Sequence, residues 1–322
     1  MSKIIAVDGG TTNTRFTVIE NGKILGTQRL TAGIRNTFSE DARRDFLSSV
    51  SAAIASIQGG IGANAEAIVL SGMIGSETGL YTLPHITAPI SAEELAENIA
   101  AVSISEASEL PMYFIPGVKT CPSGETLSIE ELSEADIMRG EETELVGLFN
   151  KLGISGEATF ILPGSHMKYI KSKNSGIHSF STSIAGELLR AAAENTILTA
   201  SLSGVFPKSP EKSSLAAGYR YAKAHGVTEA MFKVRILDKF AGYTKENLYS
   251  FLLGAVLHDD IKSLSRVNTP IYIGGSGLFR EAIKALCELE YSEKEIFAVA
   301  EELAENAAAY GAEWLYNKAL RK

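Results

Sequence analysis

Apolar and polar positions near the start of the chain follow the pattern of three short β-strands. Ile4 to Val7 form an apolar run, Arg15 to Ile19 alternate, and Asn21-Gly22 is a typical two-residue hairpin turn before a third strand. The residues from Gly9 to Thr14 therefore form a tight loop between two antiparallel strands.

The segments that follow predict alternating helices and strands. Apolar residues recur at helical spacing from Phe46 to Ile57, and a buried strand follows from Ala67 to Leu70. Ser91 and Glu94 form a capping box, which predicts a helix that continues through Leu95, Ile99 and Val102. With a further strand around "MYFIPGV", the first ~120 residues are expected to form a mixed sheet with helical cover.

The second half of the chain repeats this opening pattern. At an offset of 154 residues, the apolar run 159–162 aligns with 4–7, Gly164 with Gly10, and Gly176 with Gly22. Such a repeat predicts two similar sheets that face each other across a cleft, although a chance pairing would give the same alignment.

The length of 322 residues exceeds the usual size of one domain, so two domains are expected. We place the first domain at residues 1–120 and the second at 121–294, because the segment between Thr120 and Glu134 is polar and irregular. The alanine-rich helix at about 295–322 is expected to pack back on the first domain.

A third glycine-rich segment follows a strand near the end of the chain. In "TPIYIGGSGLF" (269–279), the strand runs into Gly274, Gly275 and Ser276 before a helix. Arg280 stands where a dinucleotide-binding fingerprint needs its third glycine, so that fingerprint is absent. The segment instead offers a flat backbone surface on which a purine could lie.

Composition excludes several classes of function. The net charge of −8, with no basic stripe, argues against nucleic acid as a partner. Cys121 and Cys287 are far apart and form neither a zinc motif nor a disulfide framework. No apolar run approaches the ~20 residues of a membrane span, and we expect a cytoplasmic protein with no membrane partner. A homo-oligomer is compatible with the sequence.

The first loop carries the residue types of a phosphate site. Asp8 ends a strand, and the loop after it consists of small residues and hydrogen-bond donors: Gly9, Gly10, Thr11, Thr12 and Asn13. Such a backbone can approach phosphate closely, and a carboxylate at a strand end can hold hydrated Mg²⁺. An ordinary hairpin loop capped by Asp8 would contain the same residues.

Two longer motifs then identify a family resemblance. The segments "DIMRGEETELVG" (136–147) and "ILPGSHMKYI" (161–170) resemble the signatures of 2-dehydro-3-deoxygalactonokinases, within the sugar kinase, Hsp70 and actin superfamily. The resemblance implies an α/β, two-lobed, actin-like ATPase fold of the ribonuclease H-like type, with duplicated mixed sheets and a central ATP cleft. Tyr169 stands where the family more often has tryptophan, and Glu77 and Leu80 stand where it has a basic residue and a tryptophan.

The function that the resemblance implies is ATP-dependent phosphorylation of the terminal 6-hydroxyl of 2-dehydro-3-deoxy-D-galactonate in galactonate degradation. The partner is then a small-molecule sugar acid, and the cofactors are ATP and Mg²⁺. A kinase for another sugar or sugar acid is one alternative. A non-catalytic actin-like ATP-binding protein is another.

The same resemblance assigns roles to the glycine-rich loops. Asp8 would orient Mg²⁺ through water, and Gly9 to Asn13 would hold phosphate, together with the second-loop residues Gly164, Ser165, His166 and Lys168. Gly274, Gly275 and Ser276 would hold adenosine. For Lys168 a solvated strand lysine is the alternative, and for His166 a structural loop residue.

The acidic segment supplies the candidate catalytic residues. Glu141 is the first candidate for the general base, followed by Glu142 and Asp136, whereas a solvated helix start is the alternative for all three. Arg139 could pair with the substrate carboxylate through two hydrogen bonds, or be a structural partner of Glu141 or Glu142. Further substrate contacts are expected in the loop after the strand 67–70, from Ser71, Gly72, Met73 and Ser76.

Overall fold

The computed structural model describes residues 2–34, 39–121 and 127–321. The chain divides into two compact units, each with a hydrophobic core of its own. The first unit comprises Met1–Gly156, Ser172–Phe180 and Glu305–Lys322. The second unit comprises Glu157–Lys171 and Ser181–Ala304.

Runs of strands separated by single helices form the chain up to residue 183, and consecutive helices follow from residue 185 to 263 before the last two strands. The strands are β1 (Lys3–Gly9), β2 (Thr14–Glu20), β3 (Lys23–Leu30), β4 (Ala67–Gly72), β5 (Ile86–Thr87), β6 (Ile90–Ser91), β7 (Ala100–Val102), β8 (Met112–Phe114), β9 (Val118–Thr120), β10 (Asp136–Met138), β11 (Ala158–Leu162), β12 (Met167–Lys173), β13 (Gly176–Ser183), β14 (Ile271–Ile273) and β15 (Ile296–Ala298). The helices are α1 (Glu40–Gln58), α2 (Ala92–Glu97), α3 (Glu141–Leu152), α4 (Ala185–Asn195), α5 (Thr199–Leu202), α6 (Lys212–His225), α7 (Val227–Phe240), α8 (Lys245–Val256), α9 (His258–Ser263), α10 (Gly277–Glu290) and α11 (Glu301–Ala319). Within the described ranges, no helix combines the length and apolarity needed to cross a bilayer.

Two six-stranded sheets have the same strand order over five strands. The first has the order β3-β2-β1-β4-β8-β7, and the second has β13-β12-β11-β14-β15 with β6 beside β13. In the first sheet, β2 is antiparallel to β1 and β3, whereas β4 is parallel to β1 and β8. A third sheet has the order β10-β9-β5. The predicted α/β fold with duplicated mixed sheets is confirmed.

The internal repeat has an offset of 153 residues, so the predicted offset of 154 is wrong by one. β2 and β12 begin and end 153 residues apart, and so do β3 and β13. The first hairpin turns on Asn21 and Gly22, and the second turns on Asn174 and Ser175, all with positive φ. Asn174 takes the place of Asn21, and Ser175 takes the place of Gly22 in the left-handed conformation, so Gly176 begins the strand instead.

The predicted helix from residue 91 is shorter than expected. The capping box is confirmed, because the Ser91 hydroxyl accepts the Glu94 N–H and the Glu94 carboxylate accepts the Ser91 N–H. However, α2 ends at Glu97, and Val102 lies in β7, which pairs with β8 in antiparallel fashion. Strand pairing therefore overrides the helical spacing of the apolar residues after Glu97.

The first compact unit extends beyond residue 120, where the predicted domain boundary lies. β9 and β10 pair in antiparallel fashion across this point. Helix α3 then packs against α11 at Gly147 and Gly311, where an added Cβ would lie 1.9 Å from the Ala307 carbonyl oxygen and 1.8 Å from that of Thr143. Residues up to Gly156 therefore belong to the first compact unit. The assignment of 1–120 and 121–294 as lobes stays a prediction.

Candidate active site

Three glycines bring the ends of β1 and β4 close to the N-terminus of α3. A Cβ on Gly72 would lie 2.7 Å from the Gly9 carbonyl oxygen, and a Cβ on Gly140 would lie 3.1 Å from the Gly72 Cα. Gly72 and Gly140 also have positive φ values of 81° and 116°, which favour glycine. The first unit therefore gathers Asp8, the loop after β4 and the acidic start of α3 in one place.

The first predicted phosphate loop is a tight, exposed turn. The Gly10 N–H donates to the Asn13 carbonyl oxygen at 2.9 Å, and Thr11, Thr12 and Asn13 are all exposed. Gly33 packs against the loop from behind, since a Cβ there would lie 2.5 Å from the backbone of Thr11 and Thr12. The loop therefore presents polar groups outward on a fixed backbone.

Asp8 lies at the end of β1, opposite Arg15 in the strand pairing. Burial raises the pKa of the Asp8 carboxyl, and the nearby Arg15 charge opposes this rise. A small cavity adjoins this pair and is lined in part by Ser71 and Glu305. No group of three or more His, Cys, Asp or Glu side chains in the described residues could hold a metal ion. One carboxylate still suits Mg²⁺, which proteins commonly bind through one or two carboxylates together with substrate phosphates.

The two glutamates at the start of α3 contact the backbone that precedes them. Glu141 Oε2 accepts the Arg139 N–H at 3.1 Å, and the Glu142 carboxylate accepts the Gly140 N–H at 2.8 and 2.9 Å. Glu142 is fully buried, and burial together with the Glu141 charge raises its pKa to about 8. Asp136 lies in β10, where its Oδ1 accepts the Ile137 N–H at 2.7 Å.

Glu144 is a further carboxyl group at this place that was not among the candidates from sequence. Burial raises its pKa to about 8, with smaller contributions from the Asp8 and Glu141 charges, while Arg15 opposes the rise. Its position three residues after Glu141, on the same face of a helix, could have indicated it.

The Arg139 guanidinium is held by the segment before β5. Its Nη2 donates to the Leu83 carbonyl oxygen at 2.7 Å and lies 3.3 Å from His85 Nδ1. Its Nη1 is buried without a hydrogen-bond partner among the described residues, and a Cβ on Gly75 would lie 3.4 Å from it. These hydrogen bonds fix the guanidinium from one side. His85 was not among the candidates from sequence.

Of the predicted substrate contacts, Ser71 and Gly72 lie at the end of β4, and Met73 and Ser76 lie in the turn that follows. Ser71 is buried, with its hydroxyl 3.5 Å from the Val7 carbonyl oxygen. Met73 begins a short 3₁₀ turn, and the Ser76 hydroxyl donates back to the Met73 carbonyl oxygen at 2.6 Å. These contacts order the loop that follows Gly72.

The second predicted phosphate loop lies in the second unit and resembles the first in its packing. Gly186 packs behind it, since a Cβ there would lie 2.2 Å from the Gly164 carbonyl oxygen and 2.9 Å from the Ser165 Cα. His166 Nε2 lies 3.6 Å from Glu187 at the exposed surface. Lys168 is buried, and its Nζ donates to the Thr182 hydroxyl at 2.6 Å, which contradicts the alternative of a solvated strand lysine.

The predicted adenosine segment follows β14, also in the second unit. The Gly274 N–H donates to the Ile161 carbonyl oxygen at 2.9 Å. Gly275 has a φ of 66° and lies against Pro163, whose Cδ would be 3.1 Å from an added Cβ. Ser276 then precedes the first turn of α10. The predicted order of strand, glycine segment and helix is confirmed.

Comparison with known proteins agrees with this arrangement. A family model described as 2-keto-3-deoxy-galactonokinase matches residues 8–307. The chain is 22% identical to the 2-dehydro-3-deoxygalactonokinase of Escherichia coli K12 over 82% of its own length and 80% of that protein. It is 27% identical to the probable 2-dehydro-3-deoxygalactonokinase DgoK1 of Rhizobium meliloti over 79% of its own length and 72% of that protein.

Solved structures support the fold. A protein of Sinorhizobium meliloti assigned as a 2-dehydro-3-deoxygalactonokinase superposes with a TM-score of 0.78 at 23% identity, covering 97% of this chain and 95% of that one. The activator of 2-hydroxyisocaproyl-CoA dehydratase from Clostridium difficile, solved with bound ADPNP, superposes with a TM-score of 0.52 at 12% identity, covering 99% and 96%. Because the family model spans nearly all of the sequence, the chain belongs to the 2-keto-3-deoxy-galactonokinase family of carbohydrate kinases.

Proposed function

We propose that the protein transfers the γ-phosphoryl group of ATP to the 6-hydroxyl of 2-dehydro-3-deoxy-D-galactonate, giving the 6-phosphate and ADP, as a step of galactonate catabolism. Family membership supports a sugar-acid kinase that uses ATP. The observation that carries the proposal is the buried Nη1 of Arg139, which has no hydrogen-bond partner among the described residues. An unpaired buried guanidinium N–H is costly, and a substrate carboxylate would satisfy it.

The proposed nucleotide contacts are the three glycine-rich segments. Backbone N–H groups and hydroxyls of Gly9–Asn13 suit phosphate oxygens, and so does the segment from Gly164 to Lys168, with its buried ammonium group. Gly274 to Ser276 are proposed to contact adenosine. Asp8 would hold Mg²⁺ through water, and the ion would neutralise charge on the transferred phosphate.

Glu141 is the proposed general base. It would accept the proton of the 6-hydroxyl while the oxygen–phosphorus bond forms and the bond to the ADP oxygen breaks. Glu142 is the weaker candidate because its carboxylate is fully buried and accepts two contacts from the Gly140 N–H. Asp136 is also a weaker candidate than Glu141, because it lies in a strand before the helix.

Two measurements test the function. The first identifies the product, and the second compares turnover of the sugar acid with turnover of its neutral alcohol analogue. Coupled ADP release should require the ketodeoxy acid, and ³¹P–¹³C correlation should place the phosphate on the C6 oxygen. Arg139→Lys keeps the positive charge but loses the planar guanidinium that can donate two parallel hydrogen bonds to a carboxylate. We therefore expect kcat/KM on the acid to fall roughly 30- to 1,000-fold. On a neutral analogue with the carboxylate reduced to an alcohol, the same variant should match the wild type.

Glu141→Gln serves as the comparison variant, because loss of a base should lower kcat on both substrates while binding persists. Turnover of a different sugar with phosphate at another position would overturn the assigned substrate. Absence of turnover across a panel of sugars and sugar acids, with ATP still bound, would favour a non-catalytic ATP-binding protein.

A further inference from the structure

His85 is held in a fixed orientation beside Arg139. Its ring packs directly on Gly117, where an added Cβ would lie 2.7 Å from His85 Cδ2 and 3.0 Å from Nε2. The segment is anchored just beyond the ring, because the Ile86 N–H donates to the Gly117 carbonyl oxygen at 2.9 Å. The imidazole therefore presents its Nδ1 edge to the guanidinium, 3.3 Å from Nη2.

The chemistry of the pair determines which nitrogen carries the proton. A guanidinium has only donors, so His85 Nδ1 must act as the acceptor and the ring proton must lie on Nε2. Burial, together with the positive charges of Arg139 and Lys119, lowers the pKa of His85 to about 4. The imidazole is therefore neutral at physiological pH and can accept a hydrogen bond throughout the neutral range.

Two acceptors converge on one end of the guanidinium and leave the other end unsatisfied. Nη2 donates to the Leu83 carbonyl oxygen at 2.7 Å and meets His85 Nδ1, while Nη1 has no partner in the described part of the chain. With Nη2 occupied, rotation of the guanidinium about its stem is restricted, and the hydrogen-bonding capacity of the buried Nη1 stays unused.

We propose that His85 is a positioning residue that sets Arg139 to bind the carboxylate of the sugar-acid substrate. This inference rests on the proposed function, because it assigns His85 a role in the specificity of that same site. His85 does not touch the substrate in this proposal. It acts through the orientation of Arg139, so its loss should affect acid recognition and leave the phosphoryl-transfer step largely intact.

The test compares two substitutions of nearly equal size. His85→Asn can place an amide oxygen near the former Nδ1 position, whereas His85→Leu has no acceptor, and both lose the ring that packs on Gly117. For His85→Leu we expect KM for the ketodeoxy acid to rise at least about tenfold, with kcat within about twofold, as for the loss of one hydrogen bond to a charged group. His85→Asn should recover most of the lost affinity.

Two controls separate this inference from the proposed function. On the neutral alcohol analogue, both His85 variants and the wild type should have the same KM, and KM for ATP should not change. If Arg139→Lys discriminates acid from alcohol but His85→Leu and His85→Asn behave alike, the positioning role is wrong and the carboxylate contact stands. If Arg139→Lys does not discriminate either, the carboxylate contact itself is wrong.

Thermal unfolding of the His85 variants shows whether a change in KM comes from a loss of folding stability. Equal melting temperatures for His85→Asn and His85→Leu, together with different KM values for the acid, would support the proposal. A loss of kcat on both substrates in proportion to lost stability would overturn it.

Discussion

Adjacent glutamates at the N-terminus of α3 have different surroundings, and the difference determines what each can do. The Glu142 carboxylate is fully buried and accepts the Gly140 N–H. Glu141 is partly exposed and accepts the Arg139 N–H through one oxygen. Burial favours the neutral form of Glu142, whereas the helix N-terminus can stabilise the charge of the partly exposed Glu141, which has room to meet a substrate.

Glu142 should make stability depend on pH in an unusual direction. Its pKa is about 8 in the folded protein, above its ordinary value of 4.5, so the folded state binds more protons between these values. The stabilising contribution is complete below about pH 4.5 and disappears as the pH rises through 8. Glu142→Gln keeps an acceptor for the Gly140 N–H but cannot titrate.

In thermal unfolding from pH 5.5 to 8.5, the melting temperature of Glu142→Gln relative to wild type should therefore rise by roughly 2 to 6 °C with pH. For Glu77→Gln, at an exposed glutamate of the same unit, the plot of melting temperature against pH should be parallel to that of the wild type. A parallel curve for Glu142→Gln would mean that Glu142 is ionised in the folded protein.

The sequence pattern located this acidic cluster but could not rank its members. Glu141, Glu142 and Asp136 are all carboxylates near Gly140, and burial depends on contacts between segments that are distant in sequence. The same reason explains why His85 was missed. Its relation to Arg139 spans 54 residues and has no local pattern.

At the scale of elements, each unit contains a close helix crossing built on two glycines. In the first unit, α3 and α11 cross at Gly147 and Gly311. In the second, α6 and α8 cross at Gly218 and Gly254, where an added Cβ would lie 1.9 Å from the Phe251 carbonyl oxygen and 2.0 Å from that of Leu215. These distances are much shorter than van der Waals contact, so the helices can approach this closely only because glycine has no side chain at the crossing.

Gly147→Ala tests the first crossing. Alanine favours a helix over glycine by up to about 1 kcal/mol, but the methyl group would meet the Ala307 carbonyl oxygen and force the helices apart. Overpacking of this kind typically costs about 1 to 3 kcal/mol, so we expect net destabilisation in chemical denaturation. Gly156→Ala is the control, because no atom lies within 4 Å of its added Cβ. Equal stability of the two variants would contradict the close crossing.

Periodicity predicted elements well where the pattern was local. The two hairpins, the strand before Gly274 and the capping box at Ser91 depend on neighbouring residues, and all four are present. The helix predicted to reach Val102 was wrong because pairing of β7 with β8 depends on residues ten or more positions away. The alanines and the glycine of α11 were visible in the sequence, but their packing against Gly147 could not be predicted from it.

At the scale of the whole molecule, the repeat at 153 residues extends to the residues that pack behind the two loops. Gly33 and Gly186 are 153 residues apart, and so are the loop residues they contact, Thr11 and Gly164. The predicted repeat was correct in architecture and one residue out in register. Strand ends could not be fixed from so few identical residues, because the second turn replaces Gly22 with Ser175.

The repeat predicts that equivalent glycines have equivalent effects on ATP binding. Gly33→Ala would place a methyl about 2.5 Å from the Thr11 backbone, and Gly186→Ala would place one about 2.2 Å from the Gly164 carbonyl oxygen. Each methyl should displace the loop in front of it and raise KM for ATP at least about tenfold, which corresponds to about 1.4 kcal/mol. Gly60→Ala, with only ordinary contacts, should leave KM unchanged. A normal KM in either loop variant would argue against that loop as a phosphate site.

The position of α11 in the chain has a consequence for the order of events during synthesis. The first unit joins segments 290 residues apart, for example where Arg15 donates to the Glu305 carbonyl oxygen and where Glu313 accepts the Gly22 N–H. A ribosome adding 5 to 20 residues per second needs roughly 15 to 60 s to cover that separation. During this interval β1, β2 and β3 leave the ribosome, whereas α11, the helix that packs against Gly147, has not yet been synthesised. The unit that begins first is therefore completed last, and a chaperone that shields its unfinished surface would have to remain bound until residues beyond 304 emerge.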